Sequence, residues 1–82
     1  MKELIQKLVE SVGPSGYEDG VRSLIKQEVA GLGDEMKVDA LGNLIVRKKG
    51  KGGQKRKVMV AAHMDEIGLM IVRIEKEGSL RF

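Results

Sequence analysis

The chain has 82 residues, of which 41% are hydrophobic and only two are aromatic, and its formal net charge is +3. This length allows one domain with a small aliphatic core, and the absence of cysteine excludes disulfide bonds and thiolate metal sites and favours a cytoplasmic location. No apolar run is long enough to cross a bilayer and the N-terminus lacks the pattern of a signal peptide, so no membrane partner is predicted.

Two amphipathic helices are predicted in the first third of the chain. Apolar residues recur at helical spacing over residues 2–12, and a Gly-Pro pair at 13–14 would end that helix. Ser15 precedes Glu18 by three residues, which is the spacing of a capping box, so the second helix is predicted to begin near Gly16. Its apolar face continues to the region of two glycines that mark its end.

The strands are predicted from the patterning of apolar residues. Residues 36–39 and 44–46 flank a turn and should pair as an antiparallel hairpin. Residues 57–62 and 67–74 are apolar, β-branched runs, which are typical of strands covered on both faces. After a further turn, residues 79–82 begin another strand and the sequence stops, which suggests a chain that is cut short. These elements predict an α/β fold with two N-terminal helices packed on a small mixed sheet.

Residues 47–57 form a basic segment, which carries seven of the fifteen positive charges and no acid. The remainder of the chain has a net charge of −4. Such a segment can bind nucleic acid through its phosphates, but this one has no aromatic residue to stack on bases and contains three glycines. We therefore predict a solvated hairpin loop and no nucleic-acid partner. The abundance of lysine and glutamate is also typical of thermophile proteins.

The only histidine, His63, lies where the predicted strand 57–62 ends, a position at which open α/β sheets place their chemistry. Metal-binding imidazoles usually donate their second ring N–H to a carboxylate, and Asp65 follows two residues later. Residues i and i+2 of an extended backbone point to the same side, so the two side chains can meet while Met64 turns toward the core. Taken alone, the pattern fits a strand-end histidine with an ordinary hydrogen bond better than it fits a metal ligand.

Two other chemistries are less well supported by the sequence. Ser15 could be considered a nucleophile with His63 as its base, but its spacing to Glu18 is explained by helix capping. The glycines of the basic segment precede a predicted strand, whereas a phosphate-binding loop must open a helix.

Three motifs resemble the N-terminal part of the M42 family of metallo-aminopeptidases, which are tetrahedral or glutamyl-aminopeptidase-like enzymes that are sometimes labelled endoglucanases. They are GPSGYE at 13–18, DALGNL at 39–44 and AHMDEIG at 62–68. The motifs occur in the family's order between residues 13 and 68, and the resemblance covers the whole chain. The resemblance implies that residues 1–82 are the N-terminal fragment of a catalytic domain, ending near the start of the family's inserted dimerisation domain.

The resemblance also implies the roles of individual residues. His63 would bind one ion of a two-metal centre, usually zinc or cobalt, and Asp65 would orient that histidine as part of the catalytic site. In related peptidases the peptide bond after this aspartate can be cis, which marks the bond between Asp65 and Glu66 as a candidate. The family's general base comes from a glutamate much later in the chain, so Glu66 is interpreted as a polar residue at the mouth of the site.

The implied function is metal-dependent release of N-terminal amino acids from peptides by a homo-oligomer, which in the family is dimer-based and forms a tetrahedral dodecamer. A two-metal site needs further ligands and a general base that residues 1–82 do not supply. The activity is therefore expected of a longer protein or a completed complex, and it is left open whether this chain is itself an enzyme. The alternative is a truncated, non-catalytic subunit or interaction module. An endoglucanase activity is not supported, because sugar sites usually need paired carboxylates and aromatic platforms.

Overall fold

The structure is a computed structural model that describes residues 1–53 and 56–82. Two helices are followed by four short strands, and the coarse prediction of an α/β chain with two N-terminal helices is confirmed. The elements are α1 (Lys2–Glu10), α2 (Asp19–Val29), β1 (Glu35–Val38), β2 (Leu44–Arg47), β3 (Arg73–Ile74) and β4 (Leu80–Arg81).

Both helices are shorter than their apolar patterns suggest. Helix α1 ends at Glu10, because the Ser11 hydroxyl donates to the Leu8 carbonyl oxygen at 2.6 Å and closes the last turn. The prediction that α2 begins near Gly16 is wrong by three residues, since a tight turn over residues 14–17 occupies this stretch and Gly16 has a φ of +87°. The predicted capping box is wrong, because Glu18 is itself the N-cap of α2, its carboxylate accepts a hydrogen bond from the Gly16 amide at 2.7 Å, and no side-chain cap hydrogen bond closes the helix.

The first predicted hairpin is confirmed. Strands β1 and β2 pair antiparallel, with Val38 opposite Leu44 at the end that carries the turn. The Asp39 carboxylate organises this turn by accepting hydrogen bonds from the Leu41 amide at 3.0 Å and the Asn43 amide at 2.8 Å. It also accepts one from the Asn43 side chain at 2.9 Å, so the turn is held by side-chain contacts as well as by the ladder.

The predicted strands 57–62 and 67–74 are largely wrong. Residues 57–62 form no strand, and of residues 67–74 only Arg73–Ile74 joins a ladder, pairing with Leu80–Arg81 as an antiparallel hairpin. A strand is stabilised by pairing with another strand, and apart from the Val72 amide, which donates to the Arg81 carbonyl oxygen at 2.9 Å, no strand in the described residues pairs with the remainder of these apolar runs.

The predicted mixed sheet is likewise replaced by two separate two-stranded antiparallel sheets. The parallel pairing seen in the described residues is an isolated bridge between Pro14 and Glu66. Helix α2 contacts the first hairpin through Arg22, whose Nε donates to the Gly42 carbonyl oxygen at 2.8 Å.

The described part of the chain builds almost no core of its own. Val21 is the one hydrophobic residue in it that is buried, at 5% exposure. The radius of gyration is 17.5 Å, whereas a compact chain of this length would have about 12 Å. Val58, Met59 and Val60 are each close to 90% exposed, so the apolar runs that predict covered strands lie open. The small core predicted from the length and composition is therefore not formed within these residues.

The basic segment 47–57 is exposed wherever the structure describes it, in agreement with a solvated segment. Lys55 lies outside the described residues. The prediction of a hairpin loop is wrong, since residues 57–62 pair with no strand in the described part of the chain. Among the described residues, neither helix has the length and apolar character needed to cross a membrane.

Candidate functional site

The segment that carries His63 and Asp65 is held against the loop between the two helices. The Glu66 amide donates to the Gly13 carbonyl oxygen at 2.9 Å, which forms the parallel bridge beside Asp65. Gly13 also packs directly on α2, since a Cβ built there would lie 2.9 Å from Val21 Cγ1. The loop and the buried residue of α2 therefore fix the backbone of the site.

His63 and Asp65 lie together, as the i, i+2 spacing predicts. The His63 Nδ1 atom is 3.2 Å from Asp65 Oδ1 and 3.0 Å from the Asp65 carbonyl oxygen. Both oxygens can only accept, so they select the tautomer in which Nδ1 carries the proton and donates. The neutral ring then has its lone pair on Nε2, and the side chain is 85% exposed.

Met64 is half-buried and lines a small cavity of about 220 Å³ with Val21 and Ile25, and His63 and Asp65 also contribute to the wall of this cavity. The candidate cis bond is wrong, since the peptide bond between Asp65 and Glu66 is trans.

His63 and Asp65 also line two larger, open cavities. One, of about 430 Å³, is bounded by the interhelical loop, with Tyr17 and Glu66 in its wall. The other, of about 460 Å³, is bounded by the β1–β2 turn and by Glu18. Glu66 is exposed at the first cavity, which is the place that the sequence interpretation gives it.

The side chains present do not by themselves fit a two-ion centre. No group of three or more His, Asp, Glu or Cys residues that could hold a metal ion occurs in the described part of the chain. The Asp65 carboxylate is already hydrogen-bonded to Nδ1, which leaves His63 Nε2 as one available nitrogen donor. A single zinc ion normally takes at least three protein ligands. The site is therefore one ligand with its orienting carboxylate, and any further ligands would have to come from residues outside this chain.

Asp39 is a further polar residue near the site whose role the sequence did not indicate. Hydrogen bonds from the Asn43 side chain, and then from the Asn43, Leu41 and Gly42 backbone, hold the pKa of its carboxyl below the ordinary value. These bonds favour the charged form because the carboxylate is the better acceptor. The motif at 39–44 is therefore a rigid turn that forms part of the wall of the second cavity.

Comparison with known proteins decides the family. Residues 42–82, half of the chain, match the family model described as M42 glutamyl aminopeptidase. The chain belongs to the M42 peptidase family. The match includes the His63–Asp65 segment and the end of the β1–β2 turn, and the family resemblance seen in the sequence motifs is thereby confirmed.

Curated relatives that are named as aminopeptidases match almost the entire chain. It is 52% identical over all of its 82 residues to a putative aminopeptidase from Acetivibrio thermocellus, of which it covers 24%. It is 51% identical to a lysyl aminopeptidase from Pyrococcus furiosus, over 96% of this chain and 22% of that protein. The glutamyl aminopeptidase of Lactococcus lactis subsp. cremoris is 38% identical over 94% of this chain and 22% of its own length. The chain thus spans about a quarter of the length of these relatives.

Proposed function

We propose that this M42 chain contributes the His63 ligand to a metal-dependent aminopeptidase that releases N-terminal amino acids from peptides. The observation that carries the proposal is the geometry of the His63 ring, whose Nδ1 is tied to Asp65 while Nε2 is left for a metal ion. The relatives named as aminopeptidases support the reaction type. The activity would belong to a longer protein, or to a complex that supplies the missing ligands and the general base.

In this proposal His63 is a metal ligand and Asp65 orients it. A hydrogen bond from Nδ1 to a carboxylate fixes the ring and raises the basicity of Nε2, which strengthens its bond to an ion. The ions, zinc or cobalt and two per complete site, would supply Lewis-acid and water-activating chemistry when bound. The contribution of this chain is to hold the nitrogen donor at the wall that the two cavities share.

The proposed substrate class is peptides with a free N-terminus. The relatives are named for lysyl and for glutamyl residues, so the proposal does not commit to one side chain at the N-terminal position. We also propose a cytoplasmic homo-oligomer built from dimers, as the resemblance implies. The wide exposure of apolar residues gives physical support to association, because contiguous apolar surface favours burial against other polypeptide.

The proposal is tested by substitution in the polypeptide or complex that contains these 82 residues, as it is isolated. Hydrolysis of a panel of aminoacyl-anilides is measured for the unsubstituted protein and for His63→Ala, Asp65→Asn and Lys48→Ala. Loss of the histidine should abolish turnover, and Asp65→Asn should lower it by about 10- to 100-fold, as is typical for groups that orient a metal ligand. Lys48 is exposed in the basic segment and serves as the control. Turnover that is unchanged in His63→Ala would refute the proposal.

A second candidate function is a non-catalytic subunit or interaction module. The observation that favours it is the pair of two-stranded sheets, whose outer edges are unpaired within the described residues, together with the scarcity of buried apolar residues. Exposed edges and apolar surface recruit other polypeptide. Size-exclusion chromatography with light scattering of the 82-residue chain would distinguish the cases, because a stable, well-folded monomer would count against this function.

A further inference from the structure

Arg22, on α2, makes contacts that join three separate parts of the chain near the site. Its side chain is 13% exposed, and its Nε donates to the Gly42 carbonyl oxygen at 2.8 Å. The other guanidinium nitrogens face Glu18 and Asp19. Asp19 is 95% exposed, so water screens that pair and it contributes little. The contacts that matter are therefore those with Glu18, which is 20% exposed, and with Gly42.

The contact with Glu18 reaches the backbone of the site through the interhelical loop. The Glu18 carboxylate lies 3.8 Å from Arg22 Nη2 and accepts a hydrogen bond from the Gly16 amide at 2.7 Å. The same loop provides the Gly13 carbonyl oxygen that accepts from the Glu66 amide, one residue after Asp65. Arg22 is therefore linked to the segment that holds the histidine by two side-chain contacts, by the loop backbone between Gly16 and Gly13, and by one backbone hydrogen bond.

The contact with Gly42 reaches the opposite boundary of the second cavity. Gly42 has a φ of +88°, and a Cβ built on it would lie 2.7 Å from Arg22 Nη2, so the guanidinium packs directly on the turn. The Asp39 carboxylate holds the same turn from within through Leu41 and Asn43. The cavity bounded by this turn also has His63 and Glu18 in its wall. One guanidinium group thus braces both boundaries of the cavity.

We propose that Arg22 is a positioning residue for the His63–Asp65 pair. It acts through Glu18 and the interhelical loop on one side and through Gly42 on the other. A planar guanidinium carries several donors in a fixed fork, so Nε can donate to the Gly42 carbonyl oxygen while Nη2 forms an ion pair with Glu18, whereas the ammonium of lysine is a single point charge. The contacts of Arg22 with Glu18 and Gly42 are observed whether or not the chain is part of an enzyme. Only the role of the His63–Asp65 pair in metal binding rests on the proposed function.

The test uses the polypeptide or complex that contains these 82 residues, stripped of metal with a chelator and labelled with ¹⁵N, and it needs no peptide substrate. Two signals are measured at fixed pH by NMR: the hydrogen exchange of the Glu66 amide and the ring nitrogen shifts of His63, which is the only histidine of these 82 residues. The variants are Arg22→Gln and Arg22→Lys. The matched control is Arg47→Gln, which removes an exposed pair with Glu35 in the hairpin.

Both Arg22 variants should speed exchange of the Glu66 amide by about tenfold, the equivalent of one hydrogen bond. They should also shift the His63 ring from the form protonated at Nδ1 toward a mixture of tautomers, which a residue that only stabilises α2 would not change. The control should leave both signals unchanged. If Arg22→Gln unfolds the chain, hydrogen-exchange protection will be lost in the β1–β2 ladder. The proposal is then tested by the same two signals in Arg22→Lys and Glu18→Gln.

Glu66 exchange within twofold of the unsubstituted chain, together with unchanged His63 shifts, would overturn the proposal, as would a Glu66 amide that is unprotected before any substitution. Failure of the aminopeptidase proposal would appear separately, as absence of hydrolysis or of bound metal in a protein whose NMR signals respond to Arg22 as expected.

Discussion

Replacing Gly13 with alanine should destabilise both the fold and the site. Gly13 is buried, and an alanine Cβ would lie 2.9 Å from Val21 Cγ1 and 3.3 Å from Val21 Cβ, whereas ordinary contacts are 3.4–4 Å. Val21 cannot easily move away, because it is the buried apolar residue of the described chain and a β-branched side chain in a helix has one strongly preferred rotamer. Either the valine is strained or the loop shifts and breaks the bond from the Glu66 amide.

The expected loss is about 1–3 kcal/mol in the free energy of unfolding, the usual range for overpacking a closed site. Urea titration followed by circular dichroism at 222 nm gives this free energy, and exchange of the Glu66 amide reports the local effect. Gly50→Ala is the matched control, because a Cβ there meets nothing within 4 Å. The double variant Gly13→Ala/Val21→Ala should be less destabilised than the sum of its single variants, since removing two methyl groups relieves the clash. A Gly13→Ala variant as stable as Gly50→Ala would refute this reasoning.

Two further predictions concern the β1–β2 turn. Hydrogen bonds lower the pKa of the Asp39 carboxyl in the folded chain. The charged carboxylate should therefore stabilise the turn at pH values above the unfolded pKa of about 4, and this stabilisation should be lost as the pH falls through the lower folded pKa. Acid titration of the Asn43 amide signals should show this loss in the unsubstituted chain and a smaller one in Asp39→Asn. Gly31→Ala should lower the free energy of unfolding by roughly 1–2 kcal/mol, because alanine is strained in the left-handed backbone conformation of Gly31. Gly42→Ala should lower it further, because Gly42 has the same conformation and also packs on Arg22. Equal losses in the two variants, measured by urea titration, would contradict the contact with Arg22.

The features that were predicted correctly from the sequence depend on neighbouring residues. The first hairpin follows from the alternation of side chains around a turn, and the meeting of His63 with Asp65 follows from the period of an extended backbone. Helix α1 follows from apolar spacing, although its end depends on Ser11. In each case the partners are close along the chain, so the pattern specifies the contact directly.

The features that were missed depend on contacts between distant segments. Residues 57–62 have strand composition, yet they form no strand because none pairs with them in the described chain. The sequence indicates the Gly-Pro pair at 13–14 as a helix end and as part of a family motif, whereas in the structure Gly13 also packs on Val21 and accepts a hydrogen bond from the Glu66 amide. Arg22 resembles any exposed arginine of an amphipathic helix until the structure places it on the Gly42 turn.

The most direct test of the central claim is the metal content of the protein that contains these residues, as isolated. Zinc and cobalt are measured by mass spectrometry in the unsubstituted protein and in His63→Ala, together with the intact mass. The account predicts about two ions per His63 in a polypeptide or complex larger than 9.0 kDa, and loss of at least one ion in the variant. A 9.0 kDa species without stoichiometric metal, or a variant that retains every ion, would contradict the assignment of His63 as a ligand in a working aminopeptidase.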